Sequence, residues 1–172
     1  QKVLLGVKSQ ASATGPAERF IDVGAGTGFL AIQARRLFSD VTAADISQEM
    51  LNRIGDSKIK TLLAPADKIP LTAGCMDAVG CFATLHHLFD PRQLFGEAFR
   101  LLRDGGVLYT DHDISAEFVH RFRWPLGIYR RFFDHGDGYL EACPQASAKD
   151  YALSEFHGEN GLDGGELRQE LL

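Results

Sequence analysis

Short apolar runs alternate with apolar positions at helical spacing through the first two thirds of the chain. Each run predicts a strand, and a sheet with both faces covered explains why the runs are so uniformly apolar. The runs read RFIDVG, VTAADI, IKTLLA, DAVGCFA and GVLYTDHDI. Between them, helical spacing predicts a helix over 29–38, Ser47 is a typical cap for a helix over 48–54, and Pro91 opens a helix over 91–103.

Strand and helix therefore alternate from residue 20 to residue 114, which predicts an α/β fold with parallel strands, right-handed crossovers and helices on both faces. We expect a single domain over 1–172, with its core at 18–113 and a helical lid or extension at 114–172. Residues 118–133 are rich in aromatics and arginine. They are typical of a helix pair packed on the domain, a lid over a substrate pocket, or a helix facing a membrane or quinone, with a break at Pro125.

Composition narrows the classes of function. The chain has 172 residues, with 18 basic and 23 acidic side chains, so its net charge is −5. An acidic chain with a pI near 5.6 is a poor general binder of nucleic acid. No apolar run approaches the ~20 residues that cross a bilayer, so we expect no stable membrane insertion. An odd number of cysteines fits neither a disulfide framework nor a zinc site and favours a reducing, cytoplasmic location; they are Cys75, Cys81 and Cys143.

The most informative segment is the glycine-rich loop that follows the first predicted strand, DVGAGTG at residues 22–28. Such a loop between a strand and a helix lets a ligand approach the backbone closely. A dinucleotide fingerprint needs glycine or alanine at its third small position, so that helix and strand pack closely. Phe29 stands there and is too large, while Gly28 comes one residue early. A tight turn without a ligand is the simple alternative.

The loop and four later segments together resemble the class I S-adenosylmethionine-dependent methyltransferases. DVGAGTG resembles the first motif, and VTAADIS, APADKIPL, DAVGCFATLHHL and FRLLRDGGVLY follow in the family's order. Ile69, Leu71 and Asp104 depart from the usual residues. The resemblance is strong over 18–113 and points to the small-molecule "type 11" branch, which includes ubiquinone- and menaquinone-biosynthesis methyltransferases.

This resemblance implies a doubly wound parallel sheet with strand order 3-2-1-4-5. The family's last two strands would follow Leu172, and the chain begins with Gln1, so we expect a fragment of a longer protein. The implied cofactor is S-adenosyl-L-methionine. Gly24, Ala25 and Gly26 would let its methionyl part lie against the backbone, and Gly28 would leave room for it.

Further cofactor contacts are implied by the later motifs. Asp22 would hold the loop and favour the cofactor's ammonium group. Asp45, at the end of the second strand, would accept hydrogen bonds from the ribose hydroxyls, and its simpler alternative is a charge at a helix N-terminus. Ile46 would cover one face of the adenine. Asp67 would accept from the adenine amino group beside the backbone of Ala66, and its alternative is a turn residue between two prolines.

The ends of the fourth and fifth strands carry the remaining candidates. Phe82 and Ala83 would close the methionyl side of the cofactor. His86 is the candidate catalytic residue, as a base or a hydrogen-bond partner of the substrate, and its alternative is a loop histidine satisfied by backbone or water. Asp111 and Asp113 point the same way along a strand, but two carboxylates alone make a poor cage, so we expect no metal.

Methyl transfer to a small-molecule acceptor is therefore the leading function. A cofactor-binding pseudoenzyme or inactive fragment is the alternative from another class. A nicotinamide oxidoreductase is a third, which the size of Phe29 disfavours. The identity of the acceptor, the atom methylated and the oligomeric state stay open at this stage.

Overall fold

The computed structural model describes residues 2–133 and 161–163. The chain divides into two compact units, one formed by residues 1–84 and 92–112 and the other by 85–91 and 113–172. The expectation of a single domain stays a prediction. The helix-like pattern at 164–172 and the third cysteine, Cys143, lie outside the described residues.

The first unit is built on a five-stranded sheet in which all strand pairs are parallel. The strands are β1 Arg19–Val23, β2 Asp40–Asp45, β3 Ile59–Leu63, β4 Met76–Phe82 and β5 Leu102–Asp111. Their order, β3-β2-β1-β4-β5, confirms the predicted doubly wound topology. The order reverses between β1 and β4, and ligands of such sheets bind outside the carboxyl ends of the strands at this point.

Six α-helices accompany the sheet in the described part of the chain. They are α1 Lys2–Ala11, α2 Phe29–Ala34, α3 Gln48–Leu51, α4 Pro91–Leu101, α5 Ala116–Arg121 and α6 Arg123–Phe133. Within residues 2–133 and 161–163, none of the helices combines the length and apolar character needed to cross a membrane. The break in the aromatic segment lies at Phe122, not at Pro125. Pro125 falls in the first turn of α6, where its missing N–H costs little.

The junction of α4 and β5 differs from the prediction that the helix runs to Arg103. The helix ends at Leu101, and Leu102 already pairs with Met76 in the sheet. Arg103 Nε donates to Asp77 Oδ1 at 2.6 Å, which holds this residue against β4 in the extended chain. A long-range ion pair thus decides a boundary that helical periodicity alone placed two residues later.

Asp77 ties together the amino ends of three strands. The buried carboxylate accepts hydrogen bonds from the backbone N–H groups of Glu18 and Arg19 at 2.8 and 2.7 Å. The guanidinium groups of Arg19 and Arg103 complete the set. Burial would raise the pKa of Asp77, but these hydrogen bonds hold it well below its usual range. The opposite, carboxyl edge of the sheet carries the predicted site.

Candidate functional site

The glycine loop turns over the carboxyl end of β2. The backbone N–H groups of Gly24 and Ala25 both donate to the carbonyl of Ala44, at 2.9 and 3.0 Å. Gly28 N–H closes the turn on Ala25 O at 2.8 Å. The three glycines have φ of +70°, +52° and +83°, values that side chains other than glycine rarely adopt. The loop therefore needs glycine for its conformation at all three positions.

The three glycines differ in how much space lies beside their Cα atoms. A Cβ at Gly24 would lie 2.3 Å from Thr84 Cγ2, and one at Gly28 would lie 2.9 Å from Ile54 Cγ1. A Cβ at Gly26 would meet nothing within 4 Å. Packing within the protein thus fills the space at two of the glycines, and Gly26 presents the open face of the loop.

Asp45 joins the loop to the end of β2. Its Oδ2 accepts from Gly26 N–H at 2.7 Å, and its Oδ1 accepts from Ser47 N–H at 2.8 Å. Each carboxylate oxygen retains a second lone pair for a ligand hydroxyl. The cap of α3 is Ser47 itself, whose Oγ accepts from Met50 N–H at 3.3 Å. The side chain of Ile46, next to Asp45, is exposed.

The segment with Ala66 and Asp67 leaves the sheet directly beside β2. Ala64 N–H donates to Asp45 O at 3.0 Å, and Lys68 N–H donates to Pro65 O at 3.2 Å across a turn. Asp67 lies exposed in that turn. The turn that was its simpler alternative is therefore present, and its exposed carboxylate lies three residues after the contact of Ala64 with the end of β2.

An ion pair on α4, between buried Glu97 and exposed Arg100, holds the same segment, and sequence reasoning missed it. Glu97 Oε1 accepts from Ile69 N–H at 2.6 Å. Arg100 bonds to Glu97 and donates to the carbonyls of Ile69 and Leu71, at 2.9 and 2.8 Å. The hydrogen bond from the Arg100 guanidinium lowers the pKa of Glu97, although burial alone would raise it. The spacing of three residues between a glutamate and an arginine on α4 was the available signal.

Asp22 is buried under the loop. Its Oδ2 accepts from Ala31 N–H at 2.9 Å, which anchors the start of α2. Its Oδ1 is buried and has no hydrogen-bond partner among the described residues. Burial raises the pKa of Asp22 to about 7; the Ala31 N–H partly opposes this, and the nearby charge of Asp45 adds to it. An unsatisfied buried oxygen of this kind favours an added donor or a cation.

Phe82 and Ala83 leave β4 at the carboxyl edge. The Phe82 ring lies between those of Phe29 and His112, with centroid distances of 4.9 and 4.1 Å. Phe29 is 58% exposed, so its ring does not fill the space between α2 and β1. The size of Phe29 as an argument against a dinucleotide was therefore wrong, because the ring points out of the helix–strand contact.

His86 lies in the second unit, on a short turn over Leu85–His87. Its Nδ1 is 2.8 Å from Asp113 Oδ1, and its backbone N–H donates to the same oxygen at 3.1 Å. Both side chains are largely buried. The structure thus gives His86 a carboxylate partner. The simpler alternative, a loop histidine, expected a backbone or water partner instead.

The Asp111 carboxylate accepts hydrogen bonds from two residues close to it in the sequence. Tyr109 Oη donates to its Oδ2 at 2.6 Å, and His112 N–H donates to its Oδ1 at 2.8 Å. The Tyr109 hydrogen bond lowers the pKa of Asp111, while burial raises the pKa of Tyr109 to about 12. In the part of the chain that the structure describes, no three potential metal-ligating side chains of His, Cys, Asp or Glu gather at one point.

The residues at the carboxyl edge suit an uncharged nucleoside that carries a cationic amino-acid tail. The open face at Gly26 admits a ligand, Asp45 offers acceptor oxygens for a diol, and exposed Ile46 offers apolar cover. The unsatisfied oxygen of Asp22 suits a cationic tail.

The chain is similar to known proteins in sequence and in fold. The profile of a family described as a methyltransferase domain matches residues 21–110. An uncharacterized methyltransferase of Mycobacterium tuberculosis is 39% identical over 94 residues, which cover 54% of this chain and 38% of that protein. The demethylmenaquinone methyltransferase of Clavibacter sepedonicus is 31% identical over 122 residues, covering 68% of this chain and 46% of the relative. The chain thus spans less than half the length of either relative.

A solved structure shows the same architecture. The S-adenosylmethionine-dependent methyltransferase of Mesorhizobium loti is 26% identical and superposes with a TM-score of 0.53. The match covers 67% of this chain and 56% of that protein.

Proposed function

This chain belongs to the class I S-adenosylmethionine-dependent methyltransferases, and on that premise we propose that it binds this cofactor and methylates a small-molecule acceptor. The observation that carries the proposal is the closure of the glycine loop on Asp45. Gly26 N–H donates to this carboxylate at 2.7 Å, at the carboxyl edge of the sheet and beside the open face of Gly26. A carboxylate that could accept from a diol and an open stretch of loop backbone thus lie side by side.

The cofactor supplies an electrophilic methyl group on a sulfonium and its own leaving group, so the protein's task is to bind and align. Asp45 accepts from the ribose hydroxyls in charge-assisted hydrogen bonds, and Ile46 covers one adenine face. Asp67 accepts from the adenine amino group beside the backbone of Ala66. Arg100 keeps that segment in place through its bonds to the loop carbonyls.

The loop residues bind the other end of the cofactor. Gly26 gives the methionyl part its contact with the backbone, flanked by Gly24 and Ala25, and Gly28 gives the loop its closing turn. The buried carboxylate of Asp22 favours the ammonium group, directly or through water. Phe82 and Ala83 close the methionyl side.

His86 is the proposed catalytic base for acceptors that must lose a proton. Asp113 accepts at Nδ1, which directs the basic lone pair of the neutral imidazole to Nε2. Asp113 is therefore a positioning residue. The relative named as a demethylmenaquinone methyltransferase supports a small-molecule acceptor, and the net charge of −5 does not favour binding to nucleic acid.

Calorimetry on the full chain tests the proposal with S-adenosylmethionine, its demethylated product and NAD. We expect binding of the first two and none of NAD, because the family profile that matches this chain is that of a methyltransferase domain. Asp45→Ala should weaken cofactor binding by about ten- to a hundredfold, the worth of charge-assisted hydrogen bonds. Asp56→Ala is the matched control, because Asp56 also accepts from a backbone N–H two residues on, at 2.9 Å, in the connection before β3.

Micromolar NAD binding, or an Asp45→Ala variant with unchanged cofactor affinity, would contradict the proposal. Cofactor binding without methyl transfer to any acceptor would instead identify a pseudoenzyme or an inactive fragment.

A further inference from the structure

Asp22 is the acidic residue of β1, and its side chain lies inside the first unit. The residue is 1% exposed. In the sheet it pairs with Ala43 of β2 on one side and with Gly80 of β4 on the other. Its neighbours in the chain, Ile21 and Val23, are also buried. Almost no bulk water therefore reaches this carboxyl group.

The described residues supply this carboxyl group with a single hydrogen bond. Oδ2 accepts from Ala31 N–H at 2.9 Å, and Oδ1 is buried with no hydrogen-bond partner among the described residues. An ionised carboxylate has about four acceptor sites, and a buried charge without partners is far more costly than a neutral carboxyl group in the same place. The surroundings therefore suit a protonated carboxyl group until a donor or a cation reaches Oδ1.

The ionisable groups of the neighbouring elements also favour the neutral form of Asp22. Burial raises its pKa to about 7, and the like charge of Asp45 on β2 adds to the rise. β4 contributes the thiol of Cys81 and the carboxylate of Asp77, which is paired with Arg19 at the amino end of the sheet. The glycine loop and α2 carry no ionisable side chain. No lysine or arginine in the described part of the chain donates a hydrogen bond to Asp22.

We propose that Asp22 is uncharged while the site holds no ligand and releases its proton when a cationic amino-acid tail binds, which makes cofactor binding dependent on pH near neutrality. In this step the O–H bond of the carboxyl group breaks and the proton passes to solvent. The carboxylate then pairs with the ammonium group, directly or through one water. This inference rests on the proposed function and adds a regulatory property to it. Acidification weakens the binding of cofactor and demethylated product alike, because both carry the ammonium group.

The release of a proton fixes the sign of the pH dependence. Below the pKa of Asp22 each bound ligand must displace a proton, so the affinity rises with pH and levels off once Asp22 is ionised in the free protein. With a pKa of about 7, we expect ~10-fold tighter binding at pH 7.5 than at pH 6. At pH 6 we expect the release of about one proton for each ligand bound.

Isothermal titration calorimetry of the full chain with the demethylated product tests the inference at pH 6. The heat of binding is measured in two buffers that differ in ionisation enthalpy, and the difference gives the number of protons released. Infrared difference spectra give a second readout, because the C=O band of a protonated carboxyl group disappears when the group ionises. Both readouts are independent of methyl transfer.

The matched ligand is 5′-methylthioadenosine, which keeps the nucleoside and the thioether of the product but lacks the amino-acid tail. We expect it to bind without proton release and with the same affinity at pH 6 and pH 7.5. The comparison of the two ligands on the wild-type chain therefore tests the role of the ammonium group without any substitution.

The variant Asp22→Asn removes the titrating group and keeps an acceptor for Ala31 N–H. At pH 7.5 it should bind the product at least ~10-fold more weakly than the wild type. Its binding should release no proton and should not change between pH 6 and pH 7.5. Asp56→Asn is the control, because Asp56 also accepts from a backbone N–H but lies in the connection before β3. This variant should keep the wild-type proton release.

The outcomes separate the two proposals. Failure of the wild-type chain to bind the product at pH 7.5 overturns the proposed function and this inference with it. Binding without proton release at pH 6 overturns the role of Asp22 alone. Equal proton release with 5′-methylthioadenosine, or in Asp22→Asn, also overturns that role and leaves the proposed function standing.

Discussion

Gly24 and Thr84 lie in contact across the glycine loop, although 60 residues separate them in the sequence. A Cβ at Gly24 would lie 2.3 Å from Thr84 Cγ2 and 2.7 Å from its Oγ1. Thr84 Oγ1 in turn donates to Phe82 O at 3.1 Å, so the side chain is held in place from its own strand. The position of Thr84, two residues after β4, therefore requires glycine at position 24 in the loop after β1.

Gly24→Ala should destabilise the protein by about 2–5 kcal/mol. The cost combines a positive φ, at about 1–2 kcal/mol, with overpacking against Thr84. Urea unfolding measures it, and the combined variant Gly24→Ala/Thr84→Ala should recover part of the loss. Gly55→Ala is the control, because a Cβ there meets nothing within 4 Å. An equal cost of Gly24→Ala in both backgrounds would show that the threonine contact is unimportant.

Gly26→Ala should separate binding from stability. A Cβ at Gly26 has open space around it, so the stability cost is limited to the positive φ, at about 1–2 kcal/mol. The same Cβ would stand on the open face assigned to the cofactor. We expect at least ~10-fold weaker cofactor binding by calorimetry, with a smaller loss of stability than in Gly24→Ala. Full affinity in Gly26→Ala would place the cofactor elsewhere.

Asp22 should make the protein less stable as the pH rises. Burial raises its folded pKa to about 7, so the folded state binds a proton that the unfolded state has released. This contribution is fully present below about pH 4, the pKa of an unperturbed aspartate, and is lost as the pH rises through 7. Urea unfolding between pH 5 and 8 should show the decline, and Asp22→Asn should flatten it. Asp56→Asn, in the connection before β3, is the control and should keep the wild-type slope.

Arg100→Ala should weaken cofactor binding from a distance. The substitution removes the donors to Ile69 O and Leu71 O and leaves the buried Glu97 without its charged partner. The segment with Asp67 then loses its anchor. We expect ~3- to 10-fold weaker cofactor binding and a lower stability, because the Glu97 carboxylate loses its charged partner. Arg53→Ala, at the exposed ion pair with Glu49, is the control and should change neither.

His86 should carry the proton of its neutral ring on Nδ1. The Asp113 carboxylate, 2.8 Å away, accepts from this nitrogen. Long-range proton–nitrogen correlation spectra read the tautomer, with exposed His120 on α5 as the reference. Asp113→Asn should remove the preference, and His86→Gln should lower methyl transfer to an acceptor that must lose a proton by ~10²-fold or more without changing cofactor affinity. Methyl transfer at the wild-type rate in His86→Gln would rule out the base.

Local patterns in the chain predicted where strands and helices alternate. Buried strands and amphipathic helices have characteristic periods along the chain, so their alternation could be predicted. The resemblance to the methyltransferases added the strand order, which the structure confirmed. Ser47 as a cap and Asp45 at the end of β2 follow from local position in the same way. The cofactor residues stay predictions, because a contact with a ligand is not a property of the chain alone.

Contacts between residues far apart in the chain could not be predicted from these patterns. Arg103 ends α4 early because Asp77 lies on a neighbouring strand, and Thr84 explains a glycine 60 residues away. Phe29 turned out to be exposed, and His86 to face Asp113. Periodicity records whether a position is buried, not which side chain buries it. These pairings arise when strands from separate parts of the chain align in one sheet and side chains pack to fill the space between them.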